Sequence, residues 1–257
     1  MRIASVVAGG LTGLALLSCV PSVAQTMSPV IEGEVKGDKS FELAMDSYRQ
    51  GDFRNAFTWW LLASQQGSVE ADYWLGRMYA RGEGVKQDYA EAAVWYGQAA
   101  DKGYAEAQTA LAVLYENGQG VRKDYDMAAL LYRKAAEQGQ AAAQNGLGAM
   151  YAKGRGVPRD YVMAVSWYRK AAEQGNNRGQ YNLGDAYHAG RGVDKDEVEA
   201  YRWLSLAVIS SRAADDAPAI ALATSTRAEA AGRLTQAQIT DADAWVAAWK
   251  PVVQPSP

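Results

Sequence analysis

The residues with the most chemical promise lie in "MYARGEGVKQDY", Met78 to Tyr89, which sets Gly82-x-Gly84 beside Arg81, Lys86 and Asp88. Glycines next to cations and an acid are the raw material of phosphate-binding loops. Such a loop occurs once, follows a buried strand, and continues into a third glycine or a Gly-Lys-Ser/Thr. Here no hydrophobic run precedes the glycines and neither continuation is present. The pair instead recurs as Gly118 and Gly120, Gly154 and Gly156, and Gly190 and Gly192, at a step of 36 residues. Asp88, Asp124, Asp160 and Asp196 keep the same step, so these carboxylates sit one repeat apart and not as an acid–base pair.

The remaining candidates are few. A single histidine, His188, cannot build a multi-histidine zinc site, and the only cysteine is Cys19. No Gly-x-Ser-x-Gly, Ser-x-x-Lys or His-Glu-x-x-His occurs, which removes the common nucleophile and metalloprotease signatures. Tryptophan and tyrosine are abundant and could stack on sugar rings, but most fall into repeating columns that read as core. Trp59, Trp95, Trp167 and Trp203 share one column; Trp60 shares the next with Tyr96, Tyr132 and Tyr168.

A fixed period of this length marks a solenoid, and the elements follow from the apolar spacing. Ala71, Leu75, Met78 and Tyr79 form one helical face; Ala92, Trp95, Tyr96 and Ala99 form another. Gly82 ends the first helix in the left-handed conformation, and Gly84 permits a second sharp turn. Asp88 caps the second helix, with Glu91 placed to complete a capping box, as Asp196 and Glu199 would in the last unit. Alanine columns (92, 128, 164, 200 and 99, 135, 171, 207) let neighbouring units approach closely. One helix pair cannot bury such a face alone, so the units must stack.

The stretch "AEAQTALAVLYENGQGVRKDYDMAALLYRKAAEQG", Ala105 to Gly139, resembles a Sel1-like repeat, a relative of the tetratricopeptide repeat with a longer glycine-containing turn. The resemblance covers four units, 68–103, 104–139, 140–175 and 176–211, and is weakest where Ser211 replaces the closing glycine. Residues 41–67 read as a further helix pair with a short Gly51-Asp52 turn, serving as an N-terminal cap. Residues 212–250 read as a C-terminal helical cap, its last helix begun by Thr235 with Gln238, and 251–257 as a disordered tail. The expected fold is an all-α, right-handed α-solenoid with helical caps at both ends.

Residues 1–24 carry one charge, Arg2, before an apolar run, and Ser22-Val23-Ala24 suits cleavage before Gln25; this reads as a signal peptide. The alternative is "LLSC", Leu16 to Cys19, which resembles a lipoprotein site and would anchor the chain through an acylated Cys19. Residues 25–40 read as a flexible linker. The net charge is −3, and losing Arg2 makes it one unit more negative without a basic stripe, which argues against nucleic acid and a polybasic membrane patch.

The resemblance implies scaffolding or adaptor work; with the signal-like segment and the missing catalytic signatures, the expected protein is a non-catalytic scaffold that binds a protein or peptide of the bacterial cell envelope, without cofactor or metal, periplasmic or secreted, or lipid-anchored through Cys19. Rival readings are a polysaccharide-binding module and, more remotely, a hydrolase of cell-wall or β-lactam substrates, whose paired cysteines are absent here. In related solenoids the first helices line the concave surface. Side chains there that vary between units are expected to hold the partner: Tyr73, Trp74, Arg77, Asn145, Tyr181, Asn182, Asp185 and His188.

Overall fold

A computed structural model describes residues 37–252, which contain twelve helices and no strand. The expected signal peptide, Cys19, most of the linker and residues 253–257 lie outside the described residues. The helices are α1 (Gly37–Arg49), α2 (Phe53–Gln65), α3 (Val69–Arg81), α4 (Tyr89–Asp101), α5 (Ala105–Asn117) and α6 (Tyr125–Glu137), followed by α7 (Ala141–Lys153), α8 (Tyr161–Glu173), α9 (Asn177–Ala189), α10 (Glu197–Ala213), α11 (Ala217–Ala231) and α12 (Gln236–Ala248). From α1 to α11 each helix packs on its predecessor and its successor, which is the connectivity of an α-solenoid. None of these helices is long and apolar enough to cross a membrane.

The long turn is closed at both ends by the same bonds in every unit. Gly82, Gly118, Gly154 and Gly190 end the first helices at φ between 63° and 72°, in the left-handed region. The backbone N–H of Asp88 donates to the Tyr79 carbonyl at 3.0 Å, and Asp124, Asp160 and Asp196 repeat this bond to Tyr115, Tyr151 and Tyr187. Each of these aspartates then accepts backbone N–H bonds from the first turn of its second helix. The expected reciprocal glutamate bonds are not made. Glu199 accepts instead from Arg202 and from the Trp203 indole, and among the described residues the full capping box forms at Thr235–Gln238.

The second glycine of each pair has a further reason. A Cβ on Gly120 would lie 2.1 Å from the carbonyl carbon of Tyr89, the first residue of the preceding unit's second helix. Gly156 and Gly192 meet Tyr125 and Tyr161 in the same way, so each turn rests directly on the backbone of the unit before.

The alanine columns are fully buried, and Trp60, Leu75, Met78, Leu147, Met150, Leu183 and Leu204 are the largest apolar side chains wholly removed from solvent. Beside them runs a buried polar column that the apolar pattern conceals: Asp72, Gln108, Gln144 and Gln180, at most 3% exposed. Gln108 donates to the carbonyl of Ala100 and accepts from Gln138 at 2.8 Å; Gln144 donates to Ala136 and accepts from Gln174 at 2.7 Å. Asp72 is the ionic version, paired with Lys102 Nζ at 2.9 Å and with the Ser64 hydroxyl.

The ends depart from the repeat. Helix α1 begins at Gly37, inside the stretch read as linker. Helix α10 runs to Ala213 because Ser211 occupies the glycine site, and Asp215 takes the positive φ (53°) only after another turn. Helix α11 lies against α9 and α10, and α12 folds onto α10 with Trp245 and Trp249 edge-on to Trp203. The chain after α12 is pinned as far as Val252, whose N–H donates to the Glu173 carbonyl at 2.8 Å. Residues 251–252 are therefore held against the third unit, at the start of the stretch expected to be disordered.

These contacts rank two substitutions. Gly118→Ala strains a left-handed residue and places a Cβ 3.1 Å from that of Lys123, an expected cost of about 1 kcal/mol. Gly120→Ala adds a collision with backbone that cannot rotate away, and is expected to cost on the order of 3 kcal/mol. Urea titrations of the two variants check the order, and a Gly118 variant weaker than the Gly120 variant contradicts it.

Candidate partner-binding surface

The eight residues expected on the first-helix face are all half-buried, and they fall into three groups. On α3, Trp74 and Arg77 are bound to the N-terminal helix pair, while Tyr73 beside them faces α4. Trp74 stacks on the buried Trp60, with ring centroids 4.9 Å apart and planes 16° from parallel. The Arg77 guanidinium sits 4.4 Å from the Trp74 ring centre, and its Nη2 donates to the Tyr48 hydroxyl at 3.3 Å. Tyr48 in turn donates to Glu83 at 2.9 Å. Tyr73 packs between Tyr96 and Tyr104. Burial raises the phenol of Tyr73 and pushes that of Tyr104 up to about 12, so both remain neutral.

At the other end, α11 covers two of the eight. Tyr181 packs against Ala207, Val208 and Ala223, and its hydroxyl is bonded to Thr226. His188 Nδ1 is 2.7 Å from Glu197, and its Nε2 is 3.6 Å from Glu229 on α11. Glu197 also accepts from Arg233 at 2.6 Å and pairs with Lys195 at 3.2 Å. This junction ties the cap to the last repeat, and among the described residues no group of three or more His, Cys, Asp or Glu side chains is arranged to hold a metal.

The third group is Asn145, Asn182 and Asp185. Asn182 Nδ2 donates to Asn145 Oδ1 at 2.7 Å, joining α9 to α7. Asp185 pairs with Arg191. Asn182, Asp185 and Arg191, with Lys153, Val165 and Tyr168, line a cavity of about 210 Å³. Burial pushes the Tyr168 phenol up to about 12, so it remains neutral. Toward the N-terminus the same columns hold Thr109, Ala110 and Val113 on α5, then Gly146 and Ala149 on α7. Gly146 makes room for Tyr132, whose ring would lie 2.6 Å from a Cβ there. The Tyr132 hydroxyl donates to Glu116 at 3.1 Å. The middle of the face is thus a trough of small side chains, with amides and charges at one end.

A second hollow, of about 840 Å³ and open to solvent, lies where the long turns of the second and third units meet. Lys123 and Arg155 stand 5.3 and 5.0 Å from the Tyr125 ring there, but Glu116, Asp124 and Asp126 balance their charge.

The Sel1 repeat model matches residues 41–68, 69–104, 105–140, 141–176 and 177–208. The chain belongs to the Sel1 repeat family. Residues 41–68, read from the sequence as a cap, match as a repeat in their own right. A crystal structure of a Sel1 repeat protein from Oxalobacter formigenes is 33% identical, with a TM-score of 0.60 over 66% of this chain and 70% of that one. The c5321 protein, a protective antigen of uropathogenic Escherichia coli with the same repeat fold, is 31% identical with a TM-score of 0.53. That match covers 82% of this chain but 56% of c5321, so this chain spans little more than half of it. No curated protein matches. Sel1 repeat proteins are generally protein-interaction scaffolds.

The cap junction carries a pH dependence. Burial raises the Glu197 carboxyl, but hydrogen bonds from His188, Arg233 and Lys195 outweigh it and bring the group below its ordinary value of 4.5. A carboxyl lowered on folding stabilises fully above its unfolded value, and that contribution disappears as pH falls through the folded one. Acidification below 4.5 is therefore expected to lower the urea midpoint, and Glu197→Gln to flatten this part of the profile. An unchanged acid limb in that variant would assign the effect to another carboxylate.

Proposed function

We propose that this chain is a non-catalytic adaptor of the bacterial cell envelope, holding an extended peptide segment of a partner protein on its first-helix face. The observation that carries the reading is the Asn145–Asn182 amide pair at the edge of the Asp185–Arg191 cavity, continuous with the small-residue trough of α5 and α7. A side-chain amide has two donors and an acceptor with two lone pairs. One bond between the two amides leaves capacity suited to the alternating N–H and C=O groups of an extended backbone. Ala110, Val113 and Ala149 give its side chains an apolar floor, and Lys153, Asp185 and Arg191 give one end charge selectivity. Trp74, stacked on Trp60 and beneath Arg77, is committed to the scaffold, which weakens the carbohydrate reading. Placement in the envelope rests on the apolar run and small-residue site of residues 1–24.

Affinity capture from envelope extract, followed by titration of the captured partner, tests the site. Asn145→Ala with Asn182→Ala is expected to weaken binding about tenfold, two hydrogen bonds at about 0.7 kcal/mol each, with an unchanged melt. Trp74→Ala should instead lower the melt, because it opens the stack on Trp60. A folded double variant that binds as tightly as the parent removes the site from this face.

Export is checked separately by mass spectrometry of the mature N-terminus. Gln25 identifies cleaved, soluble protein, and an acylated Cys19 identifies the anchored form. An intact Met1 on protein retained in the cytoplasm contradicts both.

A further inference from the structure

Ten large apolar side chains are exposed among the described residues, and six of them stand on the second helices of the first three units: Val94, Met127, Leu130, Tyr161, Val162 and Met163. Val162 is 66% exposed, Val94 53% and Leu130 46%, more than packing of the repeat requires. They lie on α4, α6 and α8, in the layer opposite the trough.

The 36-residue step arranges them in rows. Equivalent positions recur on α6 and α8, successive second helices that both pack on α7. Met127 and Met163 make one apolar row, and Leu130, with Val94 behind it on α4, makes the next. Seven residues beyond the methionines, about 10 Å along each helix, the exposed Lys134 and Lys170 form a basic row, while the adjacent Arg133 and Arg169 donate to the Tyr151 and Tyr187 hydroxyls on α7 and α9. On the other side, before the helices start, Lys123 and Arg159 form a second basic row, with their charges 5.3 and 5.8 Å from the Tyr125 and Tyr161 rings.

An apolar stripe therefore runs across the second and third units between two basic rims. Residues 122–137 and 155–173 contain eight basic and five acidic side chains, in a chain whose net charge is −3; Arg155 among them is paired with Glu116, and Lys123 lies near Asp124 and Asp126. Two of the five acids, Asp124 and Asp160, are engaged in capping helices. The first unit has Gln87, Glu91 and Gln98 at the corresponding row positions, and the fourth has Glu199 at the methionine site, so the repeat itself does not demand the pattern.

We infer that this face docks on an anionic phospholipid surface. Methionine, leucine and valine side chains standing outward can enter the headgroup boundary, while flanking Lys and Arg reach phosphates on either side. Self-association through the stripe would set basic rim against basic rim. A partner helix would need acidic residues along both flanks, whereas a bilayer meets both rims in one plane. The sequence shows no polybasic run because the rims are assembled from residues 36 positions apart.

Vesicle co-sedimentation of the chain tests this. Binding is expected with vesicles of equal parts phosphatidylcholine and phosphatidylglycerol, weakening as salt is raised, and not with phosphatidylcholine alone. Leu130→Asp with Met163→Asp should abolish it. Lys134→Gln with Lys170→Gln should weaken it roughly twenty-five-fold, a factor of five for each basic residue lost. All four positions are exposed, so the melts should match the parent. Asn145→Ala with Asn182→Ala should bind vesicles normally, which separates this face from the peptide trough. The inference is overturned if the folded parent leaves phosphatidylglycerol vesicles unbound, sediments equally with neutral ones, or loses nothing in either variant. Capture of a protein through this stripe without vesicle binding would also overturn it, in favour of an acidic partner helix.

Discussion

Near the start of each first helix one polar side chain enters a seam that water does not reach, and the stack can close only if that group is answered. Gln108 and Gln144 each join three helices: they donate to the last turn of the unit before and accept from the C-cap glutamine of their own unit. A slip of one turn between units would leave both partners buried and unpaired, at about 1–3 kcal/mol for each group. Alanine columns permit many close packings; the amide column selects one. At Asp72 the same joint is ionic, with Lys102 replacing the glutamine, so the first joint differs chemically from those that follow. At Gln180 the donor to Ala172 is kept, but the Oε1 has no hydrogen-bond partner among the described residues, because Ser210 stands where Lys102, Gln138 and Gln174 stand. There the repeat ends and α10 runs on into the cap.

That frame determines which side chains remain available. The tyrosines of the second helices, Tyr96, Tyr132 and Tyr168, are held between first helices, and Gly76, Gly146 and Gly148 yield the space their rings occupy. Burial raises all three phenols, keeping them neutral fillers of the wall. Where the second unit carries Ala112 in place of the glycine found at 76, 148 and 184, the Tyr132 ring presses on Gly146 of the next unit instead. The small-residue trough is thus a consequence of ring packing beneath it as well as a feature open to a ligand.

Features governed by neighbours within one repeat were legible in the sequence. A left-handed glycine, an N-cap aspartate and an alanine against a neighbouring helix each depend on a few adjacent residues and recur, so Gly82, Asp88 and Ala92 could be assigned directly. Side chains whose partners lie outside the repeat could not. Trp74 varies between units like a ligand-binding position, yet its partner is Trp60, in a pair whose shorter turn breaks the 36-residue register. His188 varies likewise, and its second carboxylate is Glu229, in a stretch with no repeat signal. The amide column is concealed in the sequence because a glutamine beside an apolar face reads as solvated until something packs on it. Its signal was nevertheless present: a polar residue directly after the buried small residue at 71, 107, 143 and 179.

The same two side chains show why an open solenoid concentrates its binding capacity in the middle. Each terminal unit has an unpaired face that must be covered, and the covering helices take whatever large groups that unit presents. Trp74 and Arg77 are consumed by α2 and Tyr48 at one end; Tyr181 and His188 are consumed by α11 at the other. Variation at these positions records the fit to a cap. Variation at positions 110, 113, 145, 146 and 149 has no cap to answer to, because both neighbours there are repeats. In those units the first-helix face could become a trough while the second-helix face of α6 and α8 acquired its apolar and basic rows. Any ligand on either face therefore acts on one two-unit body, locked through the Gln144 bond to the Ala136 carbonyl and the Gln174 bond to the Gly139 carbonyl.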